Sequence, residues 1–215
     1  MLSTELLSRV RTLLDEVTSS FFLDTEIYSA LTDAQQEAAN YFLRLYNAAL
    51  INNADSKLPQ PLESLVISSG TIAIATAGLT KPADYWQIIS VSYAYTGDVV
   101  GTLYPCRIEK LNPVLGFNLK NTYLAPSATD PKVYEAYGAS LQLWFLPVPS
   151  GTGAYNLTYL KTPTSISASV NPILPVSTHS AIVHWATAQM LFKDQRPEEA
   201  NLHLQNFINE LQIIG

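Results

Sequence analysis

At 215 residues, with 47% apolar and only 14% charged residues, the chain is long enough to bury a sizeable core but carries well under the roughly 25% charge of an ordinary soluble domain. Such a chain is expected to hide surface, and another subunit is a natural place. The net charge of −6 supplies no basic stripe of the kind that neutralises phosphates in nucleic-acid binders. No segment reaches the roughly 18 consecutive apolar residues of a membrane span.

In residues 3–17, Leu6, Leu7, Val10, Leu13, Leu14 and Val17 recur at spacings of three and four, which predicts an amphipathic helix capped by Ser3 or Thr4. The MLSTELLSRV start has neither the basic residues nor the apolar run of a signal peptide, and the expectation is a protein made in a cytosol. TSSFFLD at residues 18–24 breaks the pattern, and Phe21 and Phe22 both look exposed. A second helix then runs from a cap at Asp24 or Thr25 to about Leu50, with no Glu at the third position to complete a capping box. Its stripe is Ile27, Leu31, Ala34, Ala38, Tyr41, Phe42 and Leu45, on a rod of about 40 Å.

After the polar NNADSKLPQP the period changes to alternation. SLVISSGTIAIATA, YWQIISVSYAY, VVGTLYPC, KVYEAYG, SLQLWFL and AYNLTYL are rich in β-branched and aromatic residues and bounded by Gly, Pro and Asn, the pattern of antiparallel strands. Residues 107–131, RIEKLNPVLGFNLKNTYLAPSATDP, follow neither period and are expected to form a long loop, a kind of segment that is usually functional. A further loop, KTPTSISASVNPILPVS, leads to a helix over about 179–192 capped by Ser177 or Thr178. A last helix opens with Pro197, where a missing N–H costs nothing, and Ala200, Leu204, Phe207, Ile208 and Leu211 line one face of it. The fold class predicted is α+β: a bundle from the two terminal helix pairs with an inserted antiparallel β domain. The divisions are 1–57 for the first pair, 58–176 for the β domain, and 177–215 for the second pair packed on the first.

Chemistry is mostly missing. There is no G-x-S-x-G, no phosphate-binding glycine loop and no dinucleotide fingerprint. The single Cys106 forms no internal disulfide and reads as a buried thiol, and the Asn156-Leu157-Thr158 sequon carries no weight without secretion. His179 and His184 lie five apart, off the spacing at which two imidazoles on one helix grip a metal. His203 has no second His or Cys near it in sequence and reads as a surface or packing residue. Asp15 with Glu16, and Glu198 with Glu199, diverge on a helix and read as solvated faces, the latter pair also suiting the helix N-terminus. No metal, cofactor or catalytic residue is expected. The twelve Tyr and three Trp lack the interleaved Lys and Arg of single-strand binders and read as core or subunit interface, with Trp185 packed among alanines.

PKVYEAYGASLQLWFLPVPSGTGAYNLTYLKTP at residues 131–163 resembles a recurring stretch in head-to-tail adaptor proteins of tailed bacteriophages: a Tyr-bearing strand, a Gly turn, an alternating strand ending in P-x-P, and a strand ending in Tyr and a basic residue before Pro. RVRTLLDE with the following helix is similar to the family's N-terminal helix pair, and LPVSTHSAIVHWATAQMLFKDQRPEEANLHLQNFINEL to its closing pair. The 107–131 segment has no counterpart. The resemblance implies a structural virion protein at the head-tail junction, made in the host cytoplasm. It implies self-association into a ring, commonly of twelve subunits, beneath the portal protein, with a docking face for a tail or nozzle protein and a channel through which DNA passes without specific binding.

Charge fits that role. Residues 1–60 hold four Lys/Arg against eight Asp/Glu, 61–175 hold six against six, and 176–215 hold two against four. The neutral middle suits burial between neighbours. Partner-binding residues are expected at Leu111, Phe117 and Tyr123 of the 107–131 loop, and at Ile213 and Ile214, which lie beyond the last clear apolar stripe. Two other roles compete: a tail-completion or tail-tube ring protein, and, in a different class, a carbohydrate-binding β module.

Overall fold

The computed structural model describes residues 1–16, 21–52, 56–74, 78–94, 104–106, 108–111, 132–136, 142–146 and 153–215, with side chains described over 1–16, 21–52, 56–68, 81–92 and 156–215. The chain divides into two compact units, one formed by Met1–Leu65 with Thr162–Gly215 and the other by Val66–Lys161. The secondary structure is α+β, as the two periodicities predict.

The first unit is helical. Helix α1 (Ser3–Leu13) buries Leu6 and Val10 but stops short of the expected residue 17. Asp15 turns to a φ of 58°, its N–H donates to the Thr12 carbonyl, and the Glu16 N–H donates to the Arg11 carbonyl. That pair of bonds closes the last turn in a Schellman arrangement, with Asp in the left-handed position glycine usually takes. Neither Ser3 nor Thr4 caps the start. The cap is Leu2, whose N–H donates to the Glu5 carboxylate at 2.9 Å, while the Ser3 N–H donates to the Asn171 side chain at 2.9 Å.

Helix α2 (Asp24–Asn52) keeps the expected stripe through Phe42 and then follows the 3.6 period to Tyr46, leaving Leu45 exposed. Glu26 takes up the N–H of Leu23 at 3.1 Å, so the glutamate half of a capping box exists one residue earlier than the expected cap. A short helix α3 (Gln60–Glu63) follows. A 3-10 turn at Val176–Thr178 leads into α4 (His179–Lys193), where Thr178 bonds back to the Pro175 carbonyl instead of capping. Pro197 opens α5 (Pro197–Ile214) as expected. Helix α4 ends like α1, with Gln195 at φ 58° and the Arg196 N–H donating to the Leu191 carbonyl at 2.9 Å. That tight stop sends α5 back along α4, and α4 in turn packs on α1 and α2. Because α4 is surrounded, its face of Ala181, Ile182, Ala186 and Ala188 is fully buried; small side chains allow that close approach. Helix α5 buries Ala200, Phe207 and Leu211 but exposes Ile208, contrary to its expected place in the stripe.

The second unit carries β1 (Val66–Ile74), β2 (Gly78–Thr80), β3 (Tyr85–Ala94), β4 (Tyr104–Cys106), β5 (Ile108–Leu111), β6 (Lys132–Ala136), β7 (Gln142–Leu146) and β8 (Gly153–Lys161). One sheet has the order β1-β8-β3-β4 and is antiparallel throughout; Val66 faces Leu160 and Ile88 faces Tyr159. The other has the order β2-β7-β6-β5, and its β5–β6 pair is parallel, with Ile108 opposite Val133. Residues 108–111, expected inside a loop, are therefore strand. Leu157, Tyr159 and Leu160 of β8 and Ile88 and Val91 of β3 are buried. The Tyr159 hydroxyl donates to Asp84 at 3.0 Å; burial first, then this carboxylate, pushes its ionisation upward.

Candidate interaction surface

The corner between α1 and α2 is built on a buried cation. Arg11 lies on the apolar side of α1, four residues after Leu7 and three before Leu14. Its Nη2 donates to the Phe22 carbonyl at 3.0 Å and to Asp24, and its Nη1 lies 3.6 Å from Glu16. Glu16 also accepts from the N–H groups of Phe21 and Phe22. These bonds orient the two rings differently. Phe21 is 57% exposed, as expected, whereas Phe22 is only 4% exposed and meets Phe21 edge-to-face at 4.7 Å. Lys193 lies over both rings and pairs with Glu26 at 2.6 Å, a contact that lowers the ionisation of that carboxyl. Leu23 and Phe192 are exposed as well.

A second exposed apolar region surrounds the end of α5. A Cβ at Gly215 would stand 3.2 Å from Leu45 and 3.4 Å from Phe42, so α5 ends against the C-terminal half of α2. Beyond that contact Ile213 is 85% exposed and Ile214 half-buried. Of the other residues expected to bind partners, Leu111 closes β5, with its side chain outside the described residues; Phe117 and Tyr123 lie outside the described residues altogether.

Histidine placement departs from the sequence expectation. His203, expected to stand apart from other His, has its Nδ1 2.8 Å from Nδ1 of His184 across the α4–α5 interface, with ring centroids 5.1 Å apart. His184 Nε2 is 3.7 Å from Glu210 Oε1, which accepts from the Ser180 hydroxyl at 2.9 Å. Among the described residues no three His, Cys, Asp or Glu gather as a metal set, and no helix is long and apolar enough to cross a membrane.

His179 is separate and buried. Its Nε2–H donates to the Leu174 carbonyl at 3.0 Å, and burial holds its imidazole below the ordinary range despite that bond. Unfolded His179 takes a proton near pH 6.5, so the unfolded chain binds more protons in the window just below that value. Stability from this group is full above about pH 6.5 and falls as pH drops toward the lower folded value. Urea unfolding between pH 8 and 5 is expected to follow that course, and His179→Gln, which keeps a donor for Leu174, is expected to flatten part of the fall. Equal pH dependence in both proteins would refute the assignment.

Arg11 and Gln35, the latter fully buried on α2, are absent from the residues singled out in the sequence, where His184 and His203 are considered separately and not as a pair. The first two carried a signal, each being a polar residue on an apolar helix stripe. The histidine pair could have been found only through the register of the α4–α5 hairpin, in which His184 stands ten residues before Asp194 and His203 seven after Arg196.

Compared with known families, residues 1–214 match the model described as SU10 adaptor protein. No curated protein matches the chain.

Proposed function

We propose a non-catalytic, ring-forming role for this chain, which belongs to the SU10 adaptor protein family of phage head-to-tail adaptors. Members are virion components that contact other head and tail parts. Copies of the chain close into a ring beneath the portal protein, present a face to a tail or nozzle protein, and continue the DNA channel. The observation that carries it is the family match across residues 1–214. Physical support comes from three features. A ring repeats one heterologous contact around an axis, which needs exposed apolar side chains on a well-packed body, and Phe21, Leu23 and Ile213 are of that kind. The net charge of −6 opposes adhesion of a polyanion moving past. The sequence also offers no clustered nucleophile, base or metal ligands for an enzyme.

Ile213 and Ile214 are proposed to dock a partner, together with Leu111, Phe117 and Tyr123 of the 107–131 segment. Native mass spectrometry of the chain mixed with the portal ring of its own phage tests this. The expected result is a fixed multiple of the chain on each portal ring. Removing residues 212–215 is expected to weaken that association at least tenfold, about 1.4 kcal/mol, while far-ultraviolet circular dichroism of the isolated chain stays unchanged. Undiminished association of that truncated chain would remove Ile213 and Ile214 from the interface. A chain that ignores the portal yet self-assembles would move the ring further down the tail.

A further inference from the structure

We propose that His184 and His203 form a proton-operated latch between α4 and α5: the pair joins the helices while it carries at most one positive charge and releases them when it takes a second. The proposal does not rest on the adaptor reading. Two Nδ1 atoms 2.8 Å apart must share a single hydrogen, because two N–H groups cannot point at each other and two bare lone pairs would repel. The two rings have four nitrogens. With two hydrogens both rings are neutral, and His203 Nδ1–H donates to His184 Nδ1 while His184 Nε2–H faces Glu210 Oε1 at 3.7 Å. With three hydrogens one ring is charged and one Nδ1 is still bare, so the bridge survives. The fourth hydrogen fills the last Nδ1, and the bridge becomes a contact between two like charges.

The surroundings set how that second charge is resisted. Glu210 stands beside His184, with its Oε1 held by Ser180 and its Oε2 buried without a partner among the described residues. Glu199, one turn before His203, favours charge on that ring, but it is engaged by Arg196. Arg9 of α1 lines the same recess of about 270 Å3 as His184 and Ser180. Burial, and then His184, holds His203 below the ordinary imidazole range. The single bridge is thus the stable state at neutral pH, and acid is what breaks it. Among the described residues no three His, Cys, Asp or Glu are placed together to hold a metal ion.

Opening that takes up one proton more than the closed state becomes up to about tenfold more favourable per pH unit. The test is amide hydrogen exchange of α5 in the full chain at pH 7.5 and pH 5, corrected for intrinsic rates, in wild type, His203→Gln and His203→Lys. Wild type is expected to lose at least tenfold more α5 protection over that range than His203→Gln, in which the His179 contribution remains and the latch does not titrate. His203→Lys carries one positive charge throughout and can still donate to a bare His184 Nδ1, so it is expected to keep α5 protection at pH 7.5 and to lose it toward pH 5. Ring-nitrogen NMR of the wild type reads the pair directly, even if a variant folds poorly: one Nδ1 bare and one protonated at pH 7.5, with the two rings titrating in coupled steps. Equal protection loss in wild type and His203→Gln, or two rings that titrate independently of each other, would overturn the latch.

Discussion

Replacing Gln35 with leucine is expected to cost the helical unit about 2–4 kcal/mol, read as a shift in the urea midpoint at pH 7.5 with an unchanged slope. Gln35 is fully buried on α2 and works as a clamp on the segment between β8 and α4. Its Nε2 donates to the Thr164 carbonyl at 2.8 Å, and its Oε1 accepts from the N–H groups of Ile173 at 2.8 Å and Leu174 at 3.4 Å. Leucine fills most of the volume but leaves those groups without a partner. The costs are unequal. Thr164 is exposed, so water can replace the lost donor there, whereas Leu174 is buried and Ile173 half-buried, and an orphaned N–H in such places costs about 1–3 kcal/mol. A second clamp lies one turn earlier, where Thr32 Oγ1 accepts from the Ile166 N–H at 2.9 Å and donates to the Tyr28 carbonyl at 2.9 Å. Thr32→Val is therefore expected to cost less, about 1 kcal/mol, and the double variant less than the sum, since both clamps hold one segment. A Gln35→Leu chain within about 0.5 kcal/mol of wild type would show that the segment is held by its apolar contacts alone.

Periodicity located the helices because it reports which face meets a core, and that is a property of one segment. Leu6, Val10, Ile27, Leu31, Ala34, Ala38 and Phe42 are buried as the spacing requires. Ends are another matter. Val17 continues the apolar spacing of α1, yet the helix has already closed through the left-handed Asp15, a choice made by two hydrogen bonds that hydropathy does not record. Each expected side-chain cap failed for a similar reason: Ser3 was served by Asn171, 168 positions away, and Leu23 by Glu26. Strand β5 was missed because four residues, Ile108–Leu111, gain strand conformation from a parallel partner at Lys132–Ala136, and a parallel pairing leaves no turn signal between its members. At the interaction surface, the exposure of Ile213 and Phe21 could be read from their places beyond or between apolar stripes. The opposite fate of Phe22 could not, since it depends on Arg11 drawing the Phe22 carbonyl inward.

That same arginine is the subject of the other large expected effect: Arg11→Met should lower stability by about 2–3 kcal/mol. Several terms compete. The Arg11 side chain is 8% exposed, and its Nη1 has no hydrogen-bond partner among the described residues, so methionine relieves one poorly satisfied buried donor and keeps most of the apolar stem. Against that, removal leaves the Phe22 carbonyl without its donor and takes away the Arg11 charge 3.6 Å from the Glu16 carboxylate, which is 12% exposed. Breaking a buried pair by deleting one partner costs about 3–5 kcal/mol in the general case. Two features bring the figure down here: Glu16 keeps the N–H groups of Phe21 and Phe22, and Asp24, with its side chain 54% exposed, returns to water at little cost. The orphaned carbonyl and the lost contact to Glu16 outweigh the relieved Nη1, so the sign is destabilising. Arg11→Lys separates charge from geometry. It keeps a cation near Glu16 but cannot hold the Phe22 carbonyl and Asp24 with one planar fork, so its loss is expected to fall between wild type and Arg11→Met. Because these contacts are shielded from solvent, the loss in Arg11→Met should change little between 0.05 and 0.5 M salt. A loss that vanishes at high salt would place Arg11 among ordinary surface ion pairs and undo its role in holding Phe22 inward and Phe21 outward.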